Sequence, residues 1–139
     1  MTRSATLEDG LVAGAVAALL SGAPSTLHAL ATRTSPLEAT LAAGTLLAPS
    51  RTTSPTVLVL AAVPVHLALS FGWALALAAV LPRRRTVAWG TLAGLAIAAL
   101  DLGVIGRRFP RIRALAPVPQ VLDHVAYGAT VGAVLNRRR

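Results

Sequence analysis

The sequence predicts an all-α fold: an integral membrane four-helix bundle with a short interfacial or re-entrant helix between its first two spans. Three observations predict it. Only 13% of the 139 residues are charged while 55% are hydrophobic, and the mean hydropathy is +0.68. A soluble domain carries a charged shell of about a quarter of its residues, so much of this surface is expected to face lipid. Four apolar stretches approach the roughly 20 helical residues that a hydrocarbon core of about 30 Å requires. The 13 basic residues, all arginine, gather in short runs between those stretches. That is the pattern of membrane-flanking loops, which meet anionic headgroups. The formal charge of +8 is therefore read as a loop signal, and no nucleic-acid partner is expected. Residues 1–139 form a single transmembrane domain.

Span one covers residues 9–31. Glu8 and Asp9 oppose Arg3 ahead of a long apolar run, which reads as a retained span and not as a cleaved signal. Within "LSGAPSTLHAL", Pro24 removes a backbone donor and clashes with the preceding turn, so the helix is expected to kink or break near Gly22. Ser21, Ser25 and Thr26 stand ready to satisfy the freed backbone groups. The break is either an ordinary packing kink or a broken helix lining a cavity.

Residues 36–48 follow in "SPLEATLAAGTLLAP". Pro36 after Ser35 looks like a helix start, and Glu38 suits a first turn. A dozen residues cannot span, so an interfacial or re-entrant helix is expected. Span two covers 56–81. "PRRR" at 82–85 is so tight that span three, 86–106, must form an antiparallel hairpin with it. Span four, 119–136, is short and stands upright or thins the bilayer.

Small residues mark the packing faces: Gly10, Gly14, Ala18 and Gly22 in span one, Gly90, Gly94 and Ala98 in span three, Gly128 and Gly132 in span four. Helices in lipid associate through close backbone approach, and three such stripes point to a tight bundle. Orientation is almost balanced. Arg3, Arg83, Arg84, Arg85, Arg137, Arg138 and Arg139 fall on one side; Arg33, Arg51, Arg107, Arg108, Arg111 and Arg113 fall on the other.

The intramembrane polar residues carry the functional signal. Spans alternate in direction, so His28, His66, Asp101, Asp123 and His124 all fall toward the leaflet that faces "RRFPRIRAL". An ionisable group near the membrane centre costs about 2.5–3.5 kcal/mol on insertion scales, so such groups face the interior or water. Asp123 and Tyr127 share a face at i, i+4; His66, Ser70 and Trp73 share another. His28, His66, Asp101, Asp123, His124 and Tyr127 are the candidate ligand-binding residues. The competing reading is structural: Asp101 pairs with Arg107 or Arg108, Asp123 caps span four or pairs with Arg111 or Arg113, and His124 bonds Asp101 to lock the bundle.

No metal site and no cofactor are expected, because no histidine or carboxylate pair has HxxxH or ExxH spacing. A Ser–His–Asp set can be drawn from Ser21 or Ser25, but no nucleophile-elbow pattern supports catalysis. In "RRFPRIRAL", Phe109, Ile112 and Leu115 suit the interface while Arg107, Arg108, Arg111 and Arg113 suit lipid phosphates.

"SGAPSTLHAL", "HLALSFGWAL", "DLGVIGRRFPRIRAL" and "DHVAYGATVG" together resemble a family of uncharacterised small polytopic membrane proteins of high-GC bacteria. The likeness covers most of the chain and implies a multi-pass protein of the bacterial inner membrane. It brings no activity to carry over. The expected function is binding of a small or lipid-like ligand in a one-sided polar pocket, in a transport-related role. The alternatives are a structural or accessory subunit, packed against itself or another membrane protein, and a lipid-modifying enzyme. A pocket requires a cavity near His66, Asp101 and His124. An accessory role requires a filled interior and an exposed glycine stripe.

Overall fold

The computed structural model describes residues 3–48, 51 and 54–139, without the side chains of residues 3–5. The Arg3 side chain counted above thus lies outside the described residues. All regular structure among them is helical: α1 (Arg3–Leu20), α2 (Ala23–Ala31), α3 (Glu38–Gly44), α4 (Pro55–Val80), α5 (Thr86–Leu100), α6 (Pro110–Arg113) and α7 (Pro117–Arg138). A π-helical turn, Asp101–Ile105, and a 3₁₀ turn, Gly106–Arg108, extend α5.

Three helical stretches are long and apolar enough to cross a membrane: residues 6–31, 55–80 and 86–108. α7 is not one of them, although it is 22 residues long. The reason is its own polar load: Gln120, Asp123, His124, Asn136 and two arginines dilute its hydropathy.

Glycines decide which helices meet. A side chain at Gly90 would strike the Gly128 carbonyl, and one at Gly94 would strike the His124 carbonyl. One at Gly128 would strike the backbone of Gly90 and Gly94. α5 and α7 therefore touch backbone to backbone and run antiparallel. Gly10 and Gly14 seat α1 against Leu75, Ala78, Phe71 and Ala74 of α4. Gly44 seats α3 on the Leu58 backbone at the start of α4. Gly22, counted in the first stripe, meets nothing and serves the break instead.

The helices thus follow one another around the core in the order α4, α1, α7, α5. α4 and α5 run antiparallel, as the tight connection requires, but they do not pack closely on each other. The antiparallel hairpin is present, but α5 is taken by the glycine face of α7, and α4 by the glycine face of α1. Arg85 enters α5 in the left-handed conformation (φ 55°), and the buried Thr86 closes the turn with hydrogen bonds to the carbonyls of Pro82 (3.0 Å) and Arg83 (3.1 Å).

The core is small-residue and aliphatic. Ala13, Ala17, Ala74, Val131 and Leu135 are fully enclosed. Large apolar residues point outward in number, Leu19 being 85% exposed and Val80 72%. At the end holding both termini, Arg138 bonds Asp9 and Glu8, each at 2.8 Å, and Arg139 bonds the Ala78 and Leu81 carbonyls. α7 is so tied to α1 and α4.

Candidate functional site

The site grows from the interruption between α1 and α2. Regular bonding runs to Ser21, whose N–H reaches the Ala17 carbonyl, and resumes at Thr26, whose N–H reaches Gly22. Pro24 lies in the first turn of α2, where its missing N–H is tolerated. A break leaves carbonyls of one helix and N–H groups of the next without partners. Neighbouring helices supply them. His66 of α4 donates from Nε2 to the Ala18 carbonyl at 3.0 Å. Asp123 of α7 accepts the Ser25 N–H at 2.9 Å. Of the three hydroxyl residues nominated from sequence, Ser25 takes part locally, its Oγ bonding the Gly22 carbonyl at 3.2 Å.

Asp123 therefore caps α2 from another helix, and not span four as the structural reading held. Its place at a helix N-terminus is electrostatically favourable, since a carboxylate there meets the positive end of the helix dipole.

His124, next in sequence, turns toward α5. Its Nδ1 lies 2.8 Å from the Gln120 carbonyl, one turn back. A carbonyl only accepts, so Nδ1 carries hydrogen. Its Nε2 lies 3.5 Å from Asp101 Oδ2. Asp101 begins the π-helical turn, whose bond runs from the Gly106 N–H to the Asp101 carbonyl. Such wide turns re-aim side chains and recur at functional sites. Asp101 is thereby paired with His124, not with Arg107 or Arg108. Tyr127, one turn beyond Asp123, donates its hydroxyl to the Ser70 carbonyl of α4.

These groups line a cavity of about 430 Å³. His66, Asp101, Asp123, His124 and Tyr127 all border it, as do Ser25 and Trp73. Val63, Leu67 and Leu69 also line it and are more than two-fifths exposed, so it reaches the outer surface along α4. A second, mostly apolar cleft of about 420 Å³ adjoins it between α3, α4, the end of α5 and α6. Asp101, Gln120 and His124 border both.

His28 is the exception among the six candidates. It borders neither cavity; exposure alone does not set it apart, since His66 on α4 is exposed as well. The break rotates α2, and the buried residue of that helix is Ala29. Gln120 was missed. Its spacing of four from His124 placed it on the same helix face, which was the available signal. Of the four arginines, Arg107, Arg108 and Arg113 are exposed. Arg111 bonds Glu38 of α3 at 3.3 Å and is already engaged. Among the described residues, no group of three or more histidines and acids is arranged to hold a metal.

Comparison of the chain with protein families, with curated proteins and with solved structures finds no match in any of the three.

Proposed function

We propose that the chain is a multi-pass protein of the bacterial inner membrane, a four-span helical bundle whose one-sided cavity binds a small or lipid-like ligand in a transport-related role. Three stretches carry enough apolar length to span. α7 crosses with them because its polar groups face protein: Asp123, His124 and Tyr127 all turn toward α2, α5 or α4. Inward placement avoids the cost of an ionisable group in hydrocarbon. The outward leucines and valines then meet lipid, not water.

The observation that carries the ligand reading is the cavity itself, bordered by two carboxylates, two histidines and a tyrosine. A bundle held together only by its polar groups would fill that space. The glycines of α5 and α7, with Gly10 and Gly14 of α1, favour the same reading, because their close contacts are spent inside the chain. An accessory subunit would present a glycine stripe outward.

The test compares wild type with His124→Ala in lipid nanodiscs. Melting temperature is measured beside the native amphiphiles that stay with the protein through gentle extraction, read by mass spectrometry. Loss of those amphiphiles with the melting temperature nearly unchanged is the expected result. A large drop in melting temperature, with amphiphile per folded molecule unchanged, overturns the proposal and leaves a structural role.

A further inference from the structure

The chain has five acids and 13 arginines, and the two are sorted unevenly. Glu8 and Asp9 bond Arg138, and Glu38 bonds Arg111. Asp101 and Asp123 have no arginine partner among the described residues. Those two acids border the cavity, and among the described residues no arginine borders either it or the adjoining cleft. A strongly basic protein thus keeps a chamber lined by acids and histidines and free of arginine.

Whenever His124 is neutral, the pair at its centre is also short of a donor. With hydrogen on Nδ1, a neutral His124 points a lone pair at Asp101. Two acceptors then face each other at 3.5 Å, an arrangement that calls for a proton or a donor group between or beside them. The apolar cleft continues from this point, with Ile105, Ile112 and Leu115 along it.

Resting on the reading that the cavity binds a ligand, we infer that the ligand is an amphiphilic primary amine. Its ammonium sits between Asp101, His124 and Asp123, and its apolar chain lies in the cleft between α3, α4 and α6. The ammonium supplies the hydrogen-bond donors that the two acceptors lack, and its charge matches the two carboxylates. An anionic headgroup fits the exposed arginines outside, not this chamber.

Trp73 borders the cavity, and the other tryptophan, Trp89, is 49% exposed on α5. In a Trp89→Phe background, bromine-tagged amphiphiles report occupancy by quenching Trp73. The probes are bromoundecylamine, bromoundecanol and bromoundecyl sulfate, with butylamine as competitor, all in nanodiscs of neutral lipid. The amine is expected to bind at least about tenfold tighter than either other probe, with butylamine competing only weakly. Asp101→Asn and Asp123→Asn, which keep an acceptor oxygen at each position, are expected to remove most of that preference.

Equal quenching by all three probes, or tighter binding of the sulfate, overturns the amine assignment while leaving the pocket in place. Equal strength of butylamine and the long amine overturns the role of the cleft. Absence of saturable quenching by any probe overturns the pocket reading itself. The probe comparison on the Trp89→Phe protein with an otherwise native site decides the matter even if an Asn variant fails to fold.

Discussion

The Ser25 N–H donates to Asp123 Oδ1 at 2.9 Å across 98 residues of sequence. One hydrogen bond thus joins the broken first helix to the last helix, at the edge of the cavity. The break and the acidic residue of α7 are one feature: Pro24 opens the backbone, and Asp123 closes it.

Asp123→Ala therefore leaves a partly enclosed N–H without an acceptor. The expected loss is about 1–3 kcal/mol, seen as a lower melting temperature by circular dichroism in detergent. Asp123→Asn retains an acceptor and is expected to stay within about 1 kcal/mol of wild type. Equal destabilisation by both would show that the charge, not the bond, holds α2.

The contact between α5 and α7 admits no side chain at Gly128, because its Cβ would meet the backbone of Gly94 and Gly90. Gly128→Ala is expected to cost about 1–3 kcal/mol. Gly72, inside α4, faces open space, and Gly72→Ala should gain up to about 1 kcal/mol from helix propensity. The two thermal shifts should have opposite signs; a shared sign refutes the packing described.

Arg33 ends α2 in the left-handed conformation, φ 55°. The N–H of Thr34 reaches the Ala29 carbonyl at 2.9 Å, and that of Arg33 reaches Leu30 at 3.3 Å. This is the helix ending usually given to glycine. Arg33→Gly should stabilise by about 1 kcal/mol, the cost of left-handed backbone for a residue with a Cβ. Hydrogen exchange at the Thr34 amide should slow in parallel.

Tyr127 is buried and reaches the Ser70 carbonyl. Tyr127→Phe removes only the hydroxyl, and Ser70 lies within a helix that still offers it an N–H. The expected cost is about 0.5–1.5 kcal/mol. A loss several times larger in chemical denaturation would mean that the bond anchors α4 to α7.

The sequence by itself determined the helices and the membrane-like character of three of them, because apolar length and charge content are local properties. It also showed the interruption at Pro24 and the glycine faces, since both follow from backbone chemistry of single residues. His66, Asp101, Asp123 and His124 were legible as a layer from depth along alternating helices, which wrongly took in His28, and Tyr127 was legible from its spacing of four after Asp123. Partner choice was not. Asp123 had arginines nearer in sequence, yet it caps α2. Asp101 had Arg107 and Arg108 one to two turns away, yet it faces His124. Only the tertiary structure decided these, for two physical reasons. Glycine contacts fixed which helices touch and at what height, and a helix break exposed backbone groups that compete with arginine for a carboxylate. The rotation that turns His28 outward and the cavity left between α4 and α5 are likewise consequences of packing, which no single segment encodes.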